Sequence, residues 1–462
     1  MAIVLPVLLC LGCGLSLVSL GYTRHSQATA NLLLCTSLSF GFGLGIFSII
    51  FFFARVFGIT NVVALDLTVF AILLASFFFL RSRVKTTVTA PETFDGPNWL
   101  HRLLTASFVI ALCAAVYAAI LRTLAHPRGD GWDAFAIWNL HARFLFLGGA
   151  HWRDGFSPLI PWSHPDYPLL LPAAIAHFWT FLGYDAPAVP AVIGSAFTFA
   201  TVALLLSSLS IHRGALPAML GGLTLLATPS FIAVGTSQYA DIPLSFFVLA
   251  TIVLLRLHDA QHSPGPLALA GVGAGFAAWT KNEGILFVAA IVLARSLLVR
   301  PDNSLQRQSR PNAHLAPLLL TVLPIFLLIA YFKHFVSPPG DLFSDPPTML
   351  HKLLDPLRYW IILKWFTKEF FRFGHWLLIP FPLLMPAYYF FTREETSGQD
   401  LRDRASTLAL ALTFAGYSAI YLITPYDLYW HLRFSLSRLF LQLWPSAIFL
   451  FFLAAPRRAD LP

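Results

Sequence analysis

Long uninterrupted apolar stretches recur along the chain and are separated by short polar breaks. The runs at about 2–21, 31–53, 61–80, 103–124, 188–210, 214–235, 242–257, 265–281, 283–299, 315–335, 374–392, 405–424 and 436–455 each predict a membrane-crossing helix, thirteen in all. One helical crossing takes about 20 apolar residues. A β-barrel would instead show short alternating segments, which this sequence lacks. The predicted class is therefore an all-α polytopic membrane protein.

The breaks predict how the chain is threaded. Basic residues collect in "RSRVK" (81–85), "HR" (212–213), "RPDNSLQRQSR" (300–310), "TREETSGQDLRDR" (392–404) and the terminal "PRR" (456–458). If the spans alternate, these all fall on one face, which the retention of positive loops makes cytoplasmic. The opposite face receives two long segments, 125–187 and 336–373, together with turns near Gln238, Lys281 and Asp427. Two stretches there are apolar without reading as spans. "YPLLLPAAIAHFWTFLGY" (Tyr167–Tyr184) and "MLHKLLDPLRYWIILKWFTKEFFRF" (Met349–Phe373) mix aromatic and polar residues in the manner of helices lying at the membrane interface. Both are expected to wall a cavity on the outer face.

Composition agrees with this reading. Charged residues make up 11% of the 462 and hydrophobic residues 57%, against about 25% charged in soluble globular chains. The net charge of +8 is scattered through short loops instead of forming one basic surface, so a nucleic-acid partner is not expected and membrane lipids are. Cys10, Cys13, Cys35 and Cys113 lie inside apolar runs and predict packing, not disulfides or metal binding. The first run has neither a basic start nor a small-residue cleavage site, which predicts a first transmembrane helix and not a removed signal.

In so apolar a chain, ionisable residues at membrane depth are the candidates for function. Asp130 and Asp133 stand in "GDGWDAFAIWNLHARFLF" (Gly129–Phe146), immediately after a span, and Asp241 opens another span at the same outer level in "SQYADIPLSFF". Carboxylates meeting at one membrane surface suit a general base, metal ligands or solvated loop positions, and the spacing alone does not choose. No paired His–Glu motif or Asp-rich run marks a metal site. Three acids gathered at one place are nonetheless compatible with a divalent cation. No glycine-rich phosphate loop is present, which argues against a nucleotide-sugar donor.

The ordered set "GDGWDAFAIWNLHARFLF", "HPDYPLLLPAAIAHFWTFLG", "LATPSFIAVGTSQYADIPLSFFVLA" and "GAGFAAWTKNEG" resembles polyprenyl-phosphate-dependent glycosyltransferases of the GT-C fold, in particular the bacterial branch of protein O-mannosyltransferases and lipid A aminoarabinose transferases. The resemblance covers 103–300 well and the remainder loosely. It implies three parts: an N-terminal three-helix membrane extension at 1–102, a GT-C core at 103–300 whose first outer loop (125–187) is catalytic, and C-terminal helices at 301–462 with a second outer loop at 336–373. It also implies a polyprenyl-phosphate-linked sugar donor, an acceptor of unspecified kind, and a multi-pass protein of the inner membrane whose site faces the periplasm or exterior. The polysaccharide polymerases or ligases and the lipid-linked sugar flippases are the alternatives.

Carried over residue by residue, the resemblance makes Asp133 the base with Asp130 nearby, Asp241 the second acid, and Lys281 of "TKNEG" the outer lysine. The family's usual Asp–Glu pair reads "WD" here, which leaves the choice between Asp133 and Asp130 open to test. Chemically, a sugar on a polyprenyl phosphate already carries its leaving group. The protein must deprotonate the acceptor and neutralise the departing phosphate. Lys281 is the expected first phosphate ligand, and Glu283 its charge partner. Arg438 lies seven residues after His431, two helical turns, so both are expected to face one cavity; Arg433 and Arg438 both also suit headgroup contacts, and Arg438, further into the apolar run, is favoured as a phosphate or pyrophosphate contact. His141, close to Asp133 on a helical count, is a candidate headgroup contact, and His164, Asp166 and Tyr167 in "SHPDYP" form either a turn fixed by Pro165 and Pro168 or part of the substrate site.

Overall fold

The computed structural model describes residues 3–22, 28–81, 98–299, 315–343, 346–375 and 401–454. The described residues form helices and connecting turns, with no strand among them. In chain order the α-helices are α1 (Val4–Gly21), α2 (Ala28–Phe57), α3 (Val62–Arg81), α4 (Asn98–Ala125), α5 (Asn139–Leu147), α6 (Leu170–Leu182), α7 (Ala188–Arg213), α8 (Ala215–Leu226) and α9 (Pro229–Thr236). They continue with α10 (Asp241–Gln261), α11 (Pro264–Thr280), α12 (Asn282–Leu298), α13 (Ala316–Phe335), α14 (Pro346–Leu354), α15 (Pro356–Arg372), α16 (Leu401–Ile423) and α17 (Leu428–Ala454). Nine of these are long and apolar enough to cross a membrane, or ten if α8 and α9 count as one broken span.

Where the helices differ from the apolar runs, the reason is local. The run 214–235 breaks at Pro229, which begins α9, and the two halves are bent by 64°. Proline has no N–H to continue the ladder of α8. The runs 265–281 and 283–299 are 17-residue helices, about 25 Å each at 1.5 Å per residue. The final helix starts at Leu428 and not near 436, because Asp427 accepts a hydrogen bond from the Trp430 amide (2.8 Å) and caps it. The predicted span 374–392 lies almost wholly outside the described residues, as do the loops 82–85, 300–310 and 392–400 and the terminal 456–458.

Burial identifies the centre of the bundle. Helix α10 is 89% buried along its apolar window, whereas α3 and α4 are each 11% buried and turn large apolar side chains outward. A soluble protein could not expose such faces, but lipid tails cover them at no cost. Helix α6 has 13 residues, too few for a span. It is packed among α2, α5 and α7, so Trp179 is only 1% exposed and donates to the Ala186 carbonyl (2.8 Å). Helices α14 and α15 keep exposed apolar side chains, among them Leu354, Leu357, Trp360 and Leu363. They are tied to the end of α16 by Lys352 on the Thr424 carbonyl (2.8 Å) and Arg358 on the Tyr421 carbonyl (2.9 Å). Cations there complement the partial negative charge of a helix C-terminus.

Candidate active site

One end of the bundle collects the C-terminal end of α4, the start of α10, the α11–α12 junction, the end of α13 and the upper turns of α17. The loop carrying Asp133 is built from its glycines. Gly129 and Gly131 sit at φ +96° and +93°, and a Cβ on Gly131 would stand 2.4 Å from the Tyr239 hydroxyl. Only glycine meets both demands without strain. Asp133 then precedes a five-residue π-helical turn, Ala134–Trp138, whose side chains are buried except Phe135. Such turns recur at functional sites. Asn139 donates to the buried Gln238 (2.7 Å), which in turn donates to the Pro127 carbonyl (3.2 Å). That bond set fastens the loop to the α9–α10 turn and brings Asp133 over the start of α10.

Five charged side chains meet there. Arg438 bonds Asp133 and lies 3.6 Å from Asp241. Asp241 accepts from Lys281 at 3.0 Å, and Lys281 also reaches Glu283 at 2.8 Å. The order is acid, cation, acid, cation, acid, so every cation lies between two carboxylates. Accessibility is greatest at one end of the row: the side chains of Asp133 and Arg438 are 24% and 19% exposed, against 1% for Asp241, 6% for Lys281 and 12% for Glu283. A ligand coming from solvent therefore meets the Asp133–Arg438 pair first.

Aromatic rings frame the row. The Arg438 guanidinium lies 5.2 Å from the Tyr239 ring centre and the Lys281 ammonium 5.8 Å from that of Tyr167, within range of cation–π attraction. Burial and the neighbouring Asp133 push the Tyr239 phenol up to about 12, and burial with Glu283, Asp166 and Asp133 raises Tyr167 well above its ordinary value. Both phenols stay protonated donors at neutral pH.

The other predicted residues divide. Asp166 stands beside the row in a separate knot, accepting from Asn282 (2.8 Å) and pairing with Lys333 (3.1 Å). His164, at φ +48°, stacks on Tyr167 with ring centres 4.8 Å apart. His431 shares the Arg438 face of α17 but bonds Thr424 (2.8 Å). Three residues lie elsewhere. Asp130 is paired with Arg122. His141 is fully buried beside Ser163 (3.4 Å), not exposed to headgroups, and burial lowers it to about 3, so it is neutral. Arg433 is exposed over the Phe434 ring at 5.6 Å, turned away from the row.

Sequence reasoning missed Tyr239, Asn282, Lys333, Tyr417 and Gln442. Gln442 had a signal: it is an amide within an apolar run, four residues after Arg438 and so on the same helix face. Among the described residues no group of three or more His, Cys, Asp or Glu is arranged to hold a metal ion. Arg438 and Lys281 occupy the spaces between the acids.

In comparison with known proteins, residues 164–331 match the family described as dolichyl-phosphate-mannose-protein mannosyltransferase. The match includes Asp166, Tyr167, Asp241, Lys281 and Glu283 and leaves Asp133 and Arg438 outside it. No curated protein and no solved structure matches the chain. Its apolar helices make the chain a multi-pass membrane protein, and its residues 164–331 are similar to a GT-C type glycosyltransferase domain.

Proposed function

We propose that the protein moves a sugar from a polyprenyl-phosphate carrier to an acceptor at the extracytoplasmic face, with Asp133 as the general base. The observation that carries this reading is the position of Arg438, between Asp133 and Asp241 at the accessible end of the charged row. The donor phosphate competes with Asp133 for that guanidinium, a fork suited to phosphate oxygens. Taking Arg438 frees the Asp133 carboxylate to receive the acceptor's proton.

The acceptor oxygen or nitrogen then bonds to C1 of the sugar with inversion. The C1–O bond to phosphate breaks, and the phosphate leaves with the electron pair as polyprenyl phosphate. Arg438 meets the charge that develops there, and Lys281, deeper and already held by two acids, acts on the same phosphate from behind. This order of contact puts Arg438 ahead of Lys281, since the lysine is nearly inaccessible in the resting site. The base, the second acid and Lys281 come from the proposed core at 103–300, whereas Arg438 comes from the C-terminal part.

The test is a transfer assay with purified protein and a panel of polyprenyl-phosphate sugars. Free polyprenyl phosphate should appear one for one with transferred sugar. Passage of an intact sugar-lipid across vesicles without cleavage would make the protein a flippase instead. Activity confined to pyrophosphate-linked oligosaccharides would make it a polymerase or ligase.

A further inference from the structure

Behind the charged row lies a polar pair that the proposed chemistry does not touch. Gln442, fully buried in α17, donates from Nε2 to Asp241 Oδ1 at 2.7 Å, and its Oε1 accepts from the Tyr417 hydroxyl of α16 at 2.8 Å. Tyr417 is itself 1% exposed. A side-chain amide can turn over, presenting either its oxygen or its NH2 group to a neighbour. Facing a carboxylate, the oxygen would repel and the NH2 group binds. The carboxylate, which only accepts, takes the NH2 group, and the Tyr417 hydroxyl donates to the amide oxygen and holds the side chain in that orientation.

The consequence reaches the cations. Asp241 Oδ1 accepts from both Gln442 and Lys281, and this leaves Oδ2 directed at Arg438 3.6 Å away. Oδ2 is buried and, among the described residues, makes no hydrogen bond of its own. The rotation of the carboxylate about its Cβ–Cγ bond thus decides where Lys281 and Arg438 stand. Without Gln442 the hydrogen bond left on Asp241 Oδ1 among the described residues comes from the flexible lysine.

The geometry points to Gln442 and Tyr417 as positioning residues for the donor phosphate: Tyr417 orients Gln442, Gln442 fixes Asp241, and Asp241 holds Lys281 and Arg438 where a phosphate can take them. This inference rests on the phosphate role proposed above for those two cations. It assigns a function to two residues that never meet the substrate.

Farnesyl phosphate serves as a soluble stand-in for the lipid phosphate, and its Kd is measured on detergent-purified protein alongside the thermal midpoint. Gln442→Leu is expected to weaken binding about 10- to 100-fold, the span for a lost hydrogen bond to a charged group. Tyr417→Phe leaves the amide present but held from one side only and should cost about 2- to 10-fold, the range for a neutral pair. The double variant should bind no worse than Gln442→Leu alone, because the two act in series. In the transfer assay the same variants should raise KM for the donor and leave KM for the acceptor unchanged, which a general loosening of the fold would not do.

Arg438→Lys is the control: it retains charge but loses the planar fork. If it binds farnesyl phosphate as well as the parent does, the phosphate site itself is misplaced. If it is weakened while Gln442→Leu and Tyr417→Phe both bind normally, the positioning inference alone is overturned. Multiplying effects in the double variant would overturn it as well. Should Gln442→Leu fail to fold, Tyr417→Phe, which removes one oxygen, decides by the same Kd.

Discussion

Asp133 and Asp130 are three residues apart and have different partners. Asp133 is held by a cation that a phosphate could claim, whereas Asp130 is held by Arg122 outside the row. Asp133→Asn keeps the shape but cannot accept the acceptor's proton, so turnover should fall by about 100- to 10,000-fold, the usual share of general-base catalysis. Donor affinity should hold or improve, since Arg438 is then released from a competing carboxylate. Asp130→Asn should be milder. Asp241→Asn should be intermediate and should act mainly on donor binding, because Lys281 and Arg438 each lose one of two acids. Steady-state kinetics on the three variants check this, and a dead Asp130 variant beside an active Asp133 variant would exchange their roles. At this scale the sequence showed the charged members of the row, since ionisable groups in so apolar a chain are conspicuous. It did not show which cation faces which acid, because Asp133 and Arg438 are 305 positions apart and meet only through packing. Nor did it show that His141 is buried, since a histidine on a short amphipathic helix fits either face.

The elements that present these residues meet by close backbone approach. Helices α11 and α12 are separated by one extended residue, Lys281, at φ −153° and ψ 159°. Three residues later a Cβ on Gly284 would lie 1.9 Å from the Ala277 carbonyl oxygen and 2.2 Å from its carbon. The two helices therefore touch backbone to backbone just below the lysine, and this contact sets the angle at which Lys281 and Glu283 enter the site. Gly284→Ala must push α11 and α12 apart at a cost of about 1–3 kcal/mol, as for other overpacked sites. A lower thermal midpoint and a raised donor KM are the expected readings, and a parent-like midpoint would show that the contact is slack. The break at Lys281 was visible in the sequence as "TKNEG" between two apolar runs. The packing of α6 was not, because nothing in its apolar composition says that α2, over a hundred residues away in the chain, covers it.

In the whole molecule the first three helices are part of the support for the candidate site. Helix α2 lies against α6 and α7, and α3 reaches the same place through Asp66. His177 of α6 meets Asp66 at 3.0 Å and the Phe47 carbonyl of α2 at 3.0 Å, all within a fully buried setting. A polar pair at such depth is costly to break, so α6, and the outer loop leading into it, is anchored to helices the resemblance treats as an addition. The polytopic helical class was readable from apolar length, although thirteen runs stand against nine or ten spanning-length helices among the described residues, and the packing order was not, since lipid-facing and protein-facing apolar residues look alike in sequence. The orientation is a proposal from charge: the short basic loops are expected on one face, and the row of acids and cations on the other. Cysteine labels on a background without the four native cysteines test this with two exposed positions, Leu159 in the first outer loop at 87% exposure and His262 between α10 and α11. With an impermeant thiol reagent outside intact cells, Leu159→Cys should react, and His262→Cys should react only after the membrane is opened. The reverse pattern would place Asp133 and Arg438 in the cytoplasm, where a donor displayed on the outer leaflet could not reach them, and the extracytoplasmic transfer would have to be abandoned even if both variants were fully active in detergent.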